Sequence, residues 1–240
     1  QFVYPTSIAI DSQGHIYVSD EHLNRITVFD SSRDFANKWG VEGSAPGELD
    51  GPSGLAFDDD DNLYVVDHRN HRVQKFTAEG IFLLAFGSEG DGDGQLNFPW
   101  GVAIGPSGDV YVADWYNDRV QRFSPDGGFI ARYGASGHGD GEFHRPAAVT
   151  VDRDGNIYVC DWGNERLQVF DPDGGFVTKL RGEATESGWA QDFLNINLEE
   201  SEARSRSNLE KDVDLFIDDP HERSSHIEKL FWAPTSVKID

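Results

Sequence analysis

Five of the chain's eight histidines, His22, His68, His71, His138 and His144, fall in loops where an imidazole can bind a metal ion or move a proton. No two of them have the close spacing of a zinc motif. Two acidic stretches, Asp91-Gly92-Asp93-Gly94 and residues 58–61, suggest calcium. They lack the ligand spacing and closing Glu of an EF-hand loop, and turn chemistry accounts for them. No nucleophile elbow, phosphate loop or Cys/His pairing is present. Four aspartates, Asp20, Asp67, Asp114 and Asp161, look like general acids when taken one at a time. Each recurs at the same interval, as do Arg25, Arg72, Arg119 and Arg166. Such repetition points to framework: a carboxylate ending a strand accepts backbone N–H groups of the next loop. Replacing Asp114 or Arg119 by Ala is expected to cost about 1–3 kcal/mol, for the partner left unsatisfied. Residues that break the repetition are better candidates for a site. Of six tryptophans, Trp100, Trp115, Trp162 and Trp232 fall near one another in the pattern, with Phe98 and Tyr116, and none is demanded by it.

The elements that position these side chains follow from the period. Pro5, Pro52, Pro99 and Pro146 are spaced 47 residues apart. After each comes an apolar strand (SIAID, GLAFD, GVAIG, AVTVD), an Asp/Gly turn, and a second strand (IYVSD, LYVVD, VYVAD, IYVCD). A polar loop and an Arg lead into a third strand (RITVF, RVQKF, RVQRF, RLQVF), and a fourth begins at Phe35, Phe82, Phe129 or Phe176. Tyr17, Tyr64, Tyr111 and Tyr158 share one column. A lone four-stranded sheet cannot bury both faces, so the units must pack face to face around an axis.

The composite Pro-x-Gly-φ-Ala-φ-Asp, then φ-Tyr-Val-x-Asp-x-x-Asn-x-Arg-φ-Gln-x-Phe, resembles the NHL family over residues 1–180 and 234–240. Ser7 and Leu23 depart from it in the first repeat. The resemblance implies an all-β propeller of four-stranded antiparallel blades, usually six of them. Residues 1–240 then hold blades at about 5–40, 52–87, 99–134 and 146–180 and the start of another at 234–240, an open arc. Six repeats need about 282 residues, so the sequence is expected to be a fragment of a longer ring. Some relatives bind protein or RNA; others are lyases or lactonases with a metal near the axis.

With strands lettered a to d from the axis outward, the b–c and d–a loops emerge on one face and the a–b and c–d turns on the other. The insertion at 181–233 replaces a d–a loop and carries helix formers (LEESEARSRSNLEKD, PHERSSHIEKLFW), so it is expected to be partly helical and to lie on the b–c/d–a face. Binding usually resides on such loops. The expected ligand site comprises Trp100, Trp115, Tyr116 and Trp162, with His68, Arg69 and His144 as polar contacts.

A net charge of −23, from 43 acidic and 20 basic residues, disfavours nucleic acid and anionic membrane surfaces. No apolar run approaches the roughly 20 residues of a membrane span. The one cysteine, Cys160, shares a column with Ser19, Val66 and Ala113, which marks it as a core residue, and it leaves the compartment open. The expected function is a binding or scaffolding propeller for a protein, peptide or small-molecule ligand, with no cofactor and no catalytic residue assigned. Its rivals are a metal-dependent lyase or lactonase-type enzyme and the substrate-recognition part of a ubiquitin-ligase-like protein.

Overall fold

A computed structural model describes residues 1–180, 195–199 and 234–238. It contains four antiparallel four-stranded sheets arranged as propeller blades. Blade 1 is β1–β4 (Pro5–Ile10, Ile16–Asp20, Arg25–Phe29, Phe35–Trp39) and blade 2 is β5–β8 (Pro52–Phe57, Leu63–Asp67, Arg72–Phe76, Phe82–Phe86). Blade 3 is β9–β12 (Val102–Ile104, Val110–Asp114, Arg119–Phe123, Phe129–Tyr133) and blade 4 is β13–β16 (Pro146–Val151, Ile157–Asp161, Arg166–Phe170, Phe176–Leu180). The register repeats: Tyr17 pairs with Ala9, Tyr64 with Ala56, Tyr111 with Ala103 and Tyr158 with Thr150. Most of the 181–233 insertion, including Trp232, lies outside the described residues, and so does its expected placement on the b–c/d–a face.

The innermost strand of blade 3 starts later than its proline suggests. A bulge follows the proline of the other three blades. In blade 3 the pairing there is carried by two backbone bonds, Trp100 N to Ala113 O and Ala113 N to Gly101 O, both 2.9 Å.

Because side chains alternate along each strand, every sheet has two apolar faces, and each consecutive pair of blades encloses one core cluster. Between blades 1 and 2, Tyr17, Ile26 and Val28 pack on Leu63, Val65 and Phe76. Each such burial contributes about 1.5–3 kcal/mol for an aliphatic or Phe side chain. Leu49, Leu96 and Phe143, from the d–a loops, are fully buried plugs in these clusters. Tyr64 and Tyr111 are buried between blades, whereas Tyr158, on the far side of blade 4, is half-buried.

Cys160 is a buried core residue at 1% exposure. Burial, helped by the adjacent Asp161 carboxylate, pushes its thiol up to about 12. Since the thiolate is the nucleophile, Cys160 should resist a disulfide reagent at pH 8 in the folded chain and react at once in guanidinium. Rapid labelling under native conditions would contradict this placement.

Candidate functional site

The b–c loops are held by a latch repeated in blades 2, 3 and 4. Asp114 is typical. Its Oδ1 accepts the backbone N–H of Asn97 at 2.7 Å. Its Oδ2 accepts from Asn117 Nδ2 at 2.9 Å, Arg119 Nε at 2.7 Å and Gln121 Nε2 at 3.1 Å. Arg119 then donates to the carbonyls of Asp91, Gly92 and Gln95 in the incoming d–a loop. Asp67/Arg72 and Asp161/Arg166 repeat the arrangement. Burial pushes the carboxyls of Asp67, Asp114 and Asp161 up, and their donors pull against it.

Blade 1 differs. Leu23 stands where the others have Asn, and Thr27 where they have Gln, so Asp20 instead accepts the backbone N–H groups of Val3, Tyr4 and Leu23. Burial alone would raise the Asp20 carboxyl, but these donors outweigh it and hold it below its ordinary value.

The latched d–a loops share one form, with parallel bridges Glu42–Leu49, Glu89–Leu96 and Ser136–Phe143. Chemical variety therefore sits in the b–c loops. Three of them are single 3-10 turns, His68–Asn70, Trp115–Asn117 and Trp162–Asn164, each closed by a left-handed residue. The turn places the first residue after the Asp at equivalent positions in successive blades, which brings His68, Trp115 and Trp162 onto one face.

There the rings form a continuous row. Trp162 lies 5.7 Å from Trp115, Trp115 4.9 Å from Trp100, and Trp100 4.9 Å from His68, between ring centroids. Phe98 continues it, 5.1 Å from both His68 and Tyr116. The three tryptophans are half-buried, and Tyr116 is 53% exposed. His68 Nδ1 lies 2.9 Å from Pro99 O, and a carbonyl only accepts, so Nδ1 carries the proton. Burial lowers the His68 pKa, which favours the neutral ring and leaves Nε2 as an acceptor. Trp100 also lines a cavity of about 440 Å³ at the propeller axis, walled by all four innermost strands and by Thr235 to Lys238.

Not every expected site residue joins the row. Arg69 is held by Glu21 at 2.7 Å and Asp50 at 3.3 Å rather than stacked on a ring. His144 packs 5.9 Å from His138, and Gly163 leaves room for it: a Cβ there would stand 2.2 Å from the His144 ring. Arg145, absent from the expected set, lies 3.7 Å over the Tyr116 ring. Its column before the proline (Tyr4, Gly51, Phe98, Arg145) varies as much as those that revealed the tryptophans. Among the described residues, no three His, Cys, Asp or Glu side chains come together as a metal site.

Residues 2–29, 49–76, 96–123 and 143–170 match the family model described as NHL repeat. The chain belongs to the NHL-repeat family. A comparison with curated proteins finds no match. Among solved structures, these NHL blades are similar to virginiamycin B lyase from Staphylococcus aureus, with TM-score 0.58 and 16% identity over 75% of this chain and 56% of that one. A chain of a nidogen/laminin complex gives TM-score 0.57 and 20% identity, over 75% of this chain and 64% of that one. Hydrazine synthase of Kuenenia stuttgartiensis gives TM-score 0.56 and 17% identity, over 73% and 48%. Likeness at these identities is of fold alone, and the NHL chain spans little more than half of the lyase's length. Among the described residues, no helix is long and apolar enough to cross a membrane.

Proposed function

We propose that this NHL propeller is a binding module whose ligand, a protein, peptide or small molecule, seats on the ring row at the mouth of the axial cavity. One observation carries the reading: Trp100, Trp115 and Trp162 are in contact yet half-open, in columns where the repeat demands no aromatic residue. Clustered half-open indoles offer flat apolar area with N–H donors at the rim, and such residues dominate the energetics of binding surfaces. A nidogen/laminin complex among the structural neighbours is compatible with a propeller that binds protein.

The test is a peptide array and a small-molecule panel probed with the full chain, followed by titration of the best binder. Trp115→Ala should weaken that binder at least about tenfold, as expected of a central anchor, with melting temperature little changed. Trp39→Phe, whose ring packs 4.9 Å from Phe76 inside the blade 1–2 core, should leave affinity unaltered. Equal affinities for native chain and Trp115→Ala would sink the proposal. The rival lyase or lactonase reading predicts instead that EDTA abolishes binding and that an assayable product appears.

A further inference from the structure

Arg69, Arg72, Arg119, Arg122, Arg132 and Arg166 each reach a carboxylate. Among the described residues Arg25, Arg33, Arg145 and Arg153 form no such pair, and of these four only Arg145 lies over a ring. Its backbone is left-handed at φ 57°, and its N–H is tied to Asp118 Oδ1 at 2.7 Å. Its guanidinium forms no ion pair with that carboxylate, and its Cζ stands over Tyr116, 3.7 Å from the ring centroid. The other Asp118 oxygen, Oδ2, accepts from Ser136 Oγ at 2.7 Å. The Arg145 Nη1 is buried and meets no acceptor among the described residues.

Stacking on a ring engages the face of a guanidinium and leaves its in-plane N–H groups free. A charged N–H without an acceptor is costly, so the guanidinium gains from a partner that supplies one. Tyr116 leads directly into the row through Phe98, 5.1 Å away. The guanidinium therefore flanks the aromatic face, and its Nε and Nη2, neither buried nor bonded among the described residues, are where a ligand stacked on the rings brings its own acceptor. A carboxylate suits it best, since ionised acceptors form the stronger bonds and match the planar guanidinium fork. The acidic surface opposes anions at long range, but salt screens that field beyond about 8 Å, so the local contact decides.

We propose that Arg145 and Tyr116 form the anion-recognising end of the aromatic face, so that its ligand bears a carboxylate next to a planar or apolar group. This rests on the reading of the face as a binding site. The test measures phenylacetate and its neutral counterpart phenylacetamide by calorimetry or ligand-observed NMR on the full chain and on Arg145→Leu, Arg145→Lys and Trp115→Ala. Phenylacetate should bind the native chain about tenfold tighter than the amide. Arg145→Leu should erase that preference, Arg145→Lys should keep part of it, and Trp115→Ala should weaken both compounds. The lysine variant keeps the test decisive if the leucine variant does not fold. Equal binding of both compounds, or a carboxylate preference that survives Arg145→Leu, overturns the anion assignment and leaves the aromatic site standing. Failure of both compounds to bind up to about 10 mM, or binding indifferent to Trp115→Ala, overturns both.

Discussion

Asp114→Ala should destabilise the chain by about 3–5 kcal/mol, the cost of stripping a buried ion pair of one partner. For a domain of this size that is a fall in melting temperature of roughly 10 °C. The sequence alone supports only about 1–3 kcal/mol, one unsatisfied partner's worth. The structure raises the figure because Asp114 is fully buried and serves four donors at once, Asn97 N, Asn117, Arg119 and Gln121. Arg119, 6% exposed, would be left as an uncompensated cation anchoring three loop carbonyls. A built-in control exists in blade 1. Arg166→Ala should cost far more than Arg25→Ala, because Arg166 is wholly buried and bonded to Asp161 and three carbonyls, whereas among the described residues Arg25 donates only to Gln1 O and its Nε is unpaired. Chemical denaturation of the four proteins measures this. Equal losses for Arg25→Ala and Arg166→Ala would show that the latch is not the source of the stability.

Gly101→Val should cost about 3 kcal/mol through overpacking at the axis. A Cβ at Gly101 would stand 2.7 Å from Ala147 O and 2.9 Å from Ala148 Cα, both backbone atoms of the next blade's innermost strand. Gly54 faces the same obstacle in Trp100 O at 2.7 Å, and its own N–H bonds that carbonyl at 2.9 Å. The innermost strands converge on the axis, so side-chain space vanishes where one blade's backbone crosses the next. The same column holds Ser7 and Ala148 in blades 1 and 4. Ser7 fits because its Oγ accepts the Leu55 N–H at 3.2 Å. Ala148→Gly should therefore cost only about 0.5–1 kcal/mol, the entropic cost of a strand glycine. A Gly101→Val chain that melts with the native one would refute the close-approach argument. Because Trp100 precedes Gly101 and lines the axial cavity, the substitution should also weaken any ligand seated there.

The sequence by itself determined the blades. A period that never slips over four copies dictates which residues are equivalent, so the four blades, the Tyr column and the Asp/Arg columns were legible in the sequence. Alternation within each strand likewise determined which side chains face a neighbouring blade. The columns that vary also pointed to Trp100, Trp115, Tyr116, Trp162 and His68, since a repeat carries its own internal comparison.

What only the tertiary structure decided is which of those variable residues meet. Contact across blades depends on the 3-10 turn at His68, Trp115 and Trp162, on loop plugs such as Leu96, and on the orientation of each side chain in its own surroundings. Arg69 shares the Tyr116 column and His144 a different variable one (Val3, Asp50, Asn97), yet Glu21 and Asp50 hold the first and His138 packs beside the second. Arg145 stood in an equally variable column, but only three-dimensional packing put its guanidinium over Tyr116 rather than on Asp118, and left its Nη1 buried without an acceptor. A 47-residue period specifies the address of a side chain; the competition among charges and rings within a few ångströms decides where it points.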